Sequence, residues 1–164
     1  MKHSVDVGGT GILAGMDATA IAAAIKDKDI SAREAIECVA QRVAQAEPKL
    51  NAIVSSNFDP DQSSIPTEGV FAGVPTYIKD LVKAKGFATL QGSRGIPESI
   101  AKKNEKVMDH IASTGCVVLG KSTTSEFGLL PSTNTLRHGE TKNPRNLDYC
   151  TGGSSGGAAA LVAA

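Results

Sequence analysis

Two stretches of this 164-residue chain hold residue types that could do chemistry. The first ends in Lys79, a lysine that closes the apolar run Val74, Tyr77, Ile78. At the end of a strand a lysine is ordinarily a solvated cation. Desolvated, its ammonium is disfavoured, its pKa falls, and it can act as a base near neutral pH. The second is Gly152-Gly153-Ser154-Ser155-Gly156-Gly157. Four glycines around two serines predict a segment that is neither strand nor helix, makes tight turns and admits close approach of another group. The run Ala158 to Ala164 reads as a helix start, so its first amides would point at the serines or at a bound anion.

Three chemistries compete for this loop. A phosphate-binding loop needs Gly-Lys-Ser/Thr, and the loop has no lysine. Gly152 to Gly156 matches the G-x-S-x-G nucleophile elbow, but that motif follows a hydrophobic strand. Here Asn143 to Tyr149 is polar and contains Pro144, and no Asp or His follows the serine. A Ser–Lys system remains, with Lys79 as base and a loop serine as proton relay or nucleophile. The plain alternative is a flexible Gly-rich linker. His3, His110 and His138 have no Cys, Asp or Glu at useful spacing. Glu126 reads as a structural acid that bonds amides of the Gly-rich region.

Several elements must position these groups. Asp17 reads as the N-cap of a short helix carrying Ile21, Ala24 and Ile25 and ending near Lys28. Ser31-Ala-Arg-Glu34 is a capping box for a second helix, with Ile36, Val39, Ala40 and Val43 as its apolar stripe and Pro48 as its stop. Leu50 to Val54 reads as an edge strand and residues 57–68 as a surface loop. Val70 to Lys79 is the next ordered piece, continued by Leu81 and Val82, and residues 91–99 are loop. Lys102 to Ser113 reads as a helix with Val107, His110 and Ile111 on one face. Gly115 would cap it, and Cys116 to Leu119 would form a buried strand. Helix–Gly–strand succession of this kind predicts an α/β layered fold. Residues 1–16, rich in glycine and without a period, read as a flexible N-terminal arm. Val7 to Gly11 lacks the leading strand of a phosphate loop.

Taken together, these segments resemble the amidase signature family. Gly73-Val-Pro-Thr-Tyr-Ile-Lys79-Asp80 resembles its catalytic-lysine segment, and Gly120-Lys121-Ser-Thr-Thr-Ser-Glu126-Phe127-Gly128 the strand and turn that follow. Thr141-Lys-Asn143-Pro144 and Thr151-Gly-Gly-Ser154-Ser155-Gly-Gly-Ala-Ala-Ala160 resemble the start of the signature. The likeness runs from about Asp17 to the last residue, in order. The Glu-Phe-Gly-Leu-Leu-Pro131 variant is more similar to general amidases of the 6-aminohexanoate cyclic-dimer hydrolase type than to the tRNA-linked amidotransferase A subunit.

The resemblance implies N-terminal helices plus part of a mixed-sheet α/β/α fold, incomplete here. It implies that residues 17–164 are the N-terminal part of a single amidase signature domain truncated at its C-terminus. It implies hydrolysis of linear or cyclic amides through a Ser-cisSer-Lys triad, with no cofactor and no metal. Lys79 matches the base and Ser154 the bridging serine at a cis peptide. Gly152, Gly153, Ser155 and Gly156 match the substrate and oxyanion loop. The nucleophilic serine belongs to a later Gly-Gly-Ser segment, so the chain alone is expected to be inactive. The alternatives are the A subunit of a tRNA-dependent amidotransferase and a non-catalytic truncated module.

Composition narrows the classes. Lys plus Arg and Asp plus Glu are both 17, so the net charge is zero, which disfavours a dedicated nucleic-acid binder. Aromatics are 4% with no Trp, so the core must be aliphatic and Ala-rich. Cys38, Cys116 and Cys150 are odd in number and far apart, excluding a disulfide scaffold and a zinc motif. No run approaches the ~20 apolar residues of a membrane span, and Met1 to Met16 lacks a signal-peptide core. The expectation is a cytoplasmic protein with a small-molecule amide substrate and no membrane partner, and a full-length form free to be a homodimer.

Overall fold

The computed structural model describes residues 3–164. Two helices come first, α1 (Ala18–Lys26) and α2 (Ala32–Leu50). Asp17 caps α1 by accepting from the Ala20 amide at 2.8 Å. The Ser31–Glu34 capping box is complete, each side chain bonding the other residue's amide. Such a cap contributes about 1 kcal/mol. Pro48 does not stop α2 as expected. It lies in the last turn, and the helix runs on to Leu50. Only one backbone donor is missing there, and the end comes at Asn51, which adopts the left-handed conformation (φ 51).

The strands β1 (Ile53–Ser56), β2 (Pro75–Lys79) and β3 (Val117–Ser122) form a mixed sheet in the order β1-β3-β2. Central β3 runs antiparallel to β1 and parallel to β2, with Lys79 opposite Ser122. Helix α3 (Lys106–Ser113) makes the crossover from β2 to β3. Side chains of β3 alternate as the period of 2 requires. Val117 and Leu119 pack with Ile36 of α2, while Val118 packs on the cluster of Ile78, Ala84 and Met108 on the α3 side. Fully burying a residue such as Leu119 contributes about 2 kcal/mol. Beyond β3 come the short pairs β4 (Asn134–Thr135) with β5 (Gly139–Glu140) and β6 (Lys142–Asn143) with β7 (Asn146–Cys150), then α4 (Gly156–Ala163). The expected α/β layering is present.

Several local expectations need correction. Leu50 belongs to α2, so β1 starts later than predicted. Leu81 and Val82 do not extend β2, because the chain turns at once, with the Val82 amide donating to the Lys79 carbonyl at 3.0 Å. Helix α3 starts at Lys106 and turns Met108 inward while Val107 is exposed. Gly156 and Gly157 are helical, not loop. Small size is what matters there, since a Cβ on Gly156 would lie 2.2 Å from Thr133 Oγ1 and one on Gly157 2.4 Å from the Thr123 amide. The Gly-rich lead-in, read as a flexible arm, makes defined contacts in this structure. Val5 and Leu13 are buried, and the Val5 and Val7 amides donate to the carbonyls of Pro144 and Ala164.

Candidate active site

Lys79 is the last residue of β2, and Ser154 lies in the turn between β7 and α4. The two are 75 residues apart in sequence, and Lys79 Nζ lies 2.6 Å from Ser154 Oγ. Both side chains are partly buried. Burial pushes the Lys79 pKa below that of an ordinary lysine, the direction a general base requires.

The serine is held by its backbone. The Gly153–Ser154 peptide is cis. The Ser154 carbonyl accepts from the Ser125 amide at 3.1 Å and from Thr124 Oγ1 at 2.9 Å. Gly152 has a positive φ of 80, and its carbonyl accepts from the Thr133 amide. Gly153 must be glycine because a Cβ would sit 2.8 Å from the Ser132 amide. Buried threonines brace this wall. Thr123 Oγ1 and Thr141 Oγ1 lie 2.7 Å apart, and Thr141 donates to the Asn51 carbonyl.

Not every predicted residue has a free group. The Gly156 amide donates to Thr133 Oγ1 and the Gly157 amide to the Thr123 carbonyl, so neither is open to an anion in this structure. Gly153 and Ser155 are exposed on the loop, and the Ser155 side chain makes no cap bond. Glu126 takes none of the Gly-rich loop's amides among the described residues. Thr124 and Ser125, its neighbours, bond Ser154 instead. Thr and Ser in a polar turn carry no signal of their partner in the sequence, so this role emerges only from the fold. Asp80 and Lys121 are two further charged residues beside this site. Their signal was a charge set beside apolar strand residues, and both are fully buried.

No group of three or more His, Cys, Asp or Glu is placed to hold a metal ion among the described residues. Cys38, Cys116 and Cys150 are free thiols. No helix among those residues is long and apolar enough to cross a membrane.

Comparison with known proteins converges on one family. The Amidase family model matches residues 34–164. The chain is 36% identical over 156 residues to the putative amidase AmiC of Mycobacterium bovis, covering 93% of this chain and 33% of that protein. It is 34% identical over 161 residues to the A subunit of the glutamyl-tRNA(Gln) amidotransferase from Lachnospira eligens, covering 91% and 34%. The structure of 6-aminohexanoate cyclic dimer hydrolase superposes with a TM-score of 0.81 at 33% identity, over 89% of this chain and 32% of that one. A bacterial aryl acylamidase gives 0.80 at 31% identity, over 89% and 33%. The chain thus spans about a third of the length of the relatives it matches. The family model over residues 34–164 and these relatives lead to one conclusion: this chain belongs to the amidase signature family.

Proposed function

We propose that Lys79 and Ser154 are the base and the proton relay of an amide-bond hydrolase. The observation that carries this is the 2.6 Å contact between the partly buried Lys79 amine, whose pKa burial lowers, and the Ser154 hydroxyl. As a neutral amine, Lys79 takes the Ser154 proton, and Ser154 takes one from an attacking serine. That serine adds to the amide carbonyl, the C–N bond breaks, and the proton passes back to the leaving amine. Water then cleaves the acyl-enzyme to the acid. Gly152, Gly153 and Ser155 would line the substrate side of the loop. By the family's pattern, the attacking serine lies in a second Gly-Gly-Ser segment, downstream of Gly152-Gly153-Ser154 and outside residues 1–164. The chain by itself is therefore inactive, and its parent acts on a small linear or cyclic amide in the cytoplasm without a cofactor.

Similarity to the Lachnospira protein supports a second reading, an amidotransferase component that works with partner chains. The test uses a polypeptide carrying these residues together with the downstream segment. Lys79→Ala and Ser154→Ala should each lower release of ammonia or amine by at least about a hundredfold. The 164-residue chain should release none. Near-normal turnover in either variant, or Lys79-dependent turnover by the 164-residue chain, would overturn the proposal. Dependence on added partner chains would select the second reading.

A further inference from the structure

Two charged side chains are buried beside the site and have no part in the proton path. Asp80 follows Lys79 directly, and Lys121 lies on the neighbouring strand β3. Both side chains are 0% exposed, with Lys121 Nζ 3.6 Å from Asp80 Oδ1. Taking two charges out of water is costly unless good bonds compensate them.

Here the bonds all lead to one segment. Asp80 Oδ1 accepts from the Leu90 amide at 3.0 Å, and Oδ2 accepts from the Gly92 amide at 3.4 Å. The Asp80 carbonyl accepts from the Gln91 amide at 3.0 Å. Lys121 Nζ donates to the Val82 carbonyl at 2.6 Å and to Thr89 Oγ1 at 3.0 Å. Residues 80–92 thus form a loop that leaves the end of β2 and is pinned at both ends to one ion pair.

The same loop reaches the serine. The Gln91 carbonyl accepts from the Phe127 amide at 2.8 Å. Gly92 packs so closely on the Thr124 carbonyl that a Cβ would lie 2.9 Å from it. Leu81 packs on Gly128, and a Cβ there would lie 2.6 Å from Leu81 Cδ1 and 3.8 Å from Ser154 Oγ. Thr124 and Ser125, between these contacts, are the residues that bond the Ser154 carbonyl. One ion pair therefore ties the strand end that carries Lys79 to the turn that holds Ser154.

We propose that Asp80 and Lys121 are positioning residues that hold Lys79 Nζ in register with Ser154 Oγ through the 80–92 loop. This rests on the reading of Lys79 as the base. A pair that served only the stability of the fold would leave the surroundings of the Lys79 amine unchanged when replaced in a folded chain.

The experiment titrates the 164-residue chain by NMR with 13C-labelled lysine, using Lys79→Arg to assign the Lys79 signal. Asp80→Asn combined with Lys121→Met removes both charges, so no lone buried ion is left and little net field change reaches Lys79. Thr89→Val, isosteric and uncharged, removes one bond between Lys121 and the loop and, with it, the 3.4 Å bond from Thr89 Oγ1 to the Val82 carbonyl. In both variants the Lys79 midpoint should move up toward that of the exposed lysines, further in the double variant, with the circular dichroism of the fold retained. A folded variant whose Lys79 titrates at the unsubstituted midpoint overturns the proposal. Should the double variant not fold, Thr89→Val decides alone. If Lys79 of the unsubstituted chain already titrates with the exposed lysines, the base assignment fails first and the positioning role falls with it.

Discussion

Lys79 is a side chain costly to the fold that the proposed function makes useful to the chemistry. Burial lowers its pKa below the ordinary lysine value of 10.5. Between that lowered value and 10.5 the folded chain binds fewer protons than the unfolded chain, so stability rises with pH across that window. Below the window the penalty for the desolvated ammonium is present in full. Lys79→Met keeps the stem and removes the charge. It should be more stable than the unsubstituted chain at pH 7 in urea denaturation, and the difference should close as pH rises toward 10.5. A gap of constant size at all pH values would contradict the assigned direction. His138 is shifted the same way, by burial first, and its Nε2 is buried with no hydrogen-bond partner among the described residues.

Among the elements, the central strand β3 carries most of the architecture that brings the site together. It pairs with β1 on one side and with β2 on the other, and its C-terminal end delivers Lys121 and the turn that holds Ser154. Gly120 is the tightest point of that strand. A Cβ there would lie 1.9 Å from the Ser55 carbonyl and 2.9 Å from Tyr77 Cε1. Both strand pairs shift register in this neighbourhood, between Ile53 and Ser55 and between Thr76 and Tyr77. Gly120→Ala should therefore push β1 away and cost about 1–3 kcal/mol, as overpacking does. Denaturant titration checks this, and a variant as stable as the unsubstituted chain would show that β1 gives way freely. Gly156→Ala meets a similar limit against Thr133.

At the scale of the whole molecule, the N-terminal segment and α4 close on each other. Val5, Ala46, Leu50, Ala52 and Ala160 form one core cluster that joins the lead-in, α2 and α4. Arg42 of α2 clamps the lead-in. Its Nη2 donates to the Gly8 carbonyl at 3.0 Å and to the Thr10 carbonyl at 2.7 Å, and its Nε bonds Thr10 as well. Arg42→Ala should release residues 7–13 and speed their amide hydrogen exchange, while β2 and β3 keep their protection. Unchanged exchange in that segment would show that Val5 and Leu13 hold it without the clamp. An apolar groove of about 490 Å³ opens along α2, α4 and the start of β2, lined by Val39, Val43, Tyr77 and Leu161. Neither Lys79 nor Ser154 lines it.

What the sequence determined by itself was the local and the patterned. Asp17 and Ser31 start helices because their side chains reach amides three residues on, and that is written in adjacent letters. Lys79 and the Gly152–Gly157 loop were legible because their residue types are odd for their surroundings. The order of the motifs carried the family. Tertiary structure alone decided the rest, because it depends on distances between residues far apart in the chain. It brought Lys79 to Ser154, gave the Gly156 amide to Thr133, and made helical glycines of two that read as loop. It also drew the glycine-rich lead-in onto the core, where burial of Val5 and Leu13 offset the entropy that an isolated reading of those residues emphasises. Asp80 and Lys121 were visible as letters, but their pairing is a matter of burial, which only the packed fold sets.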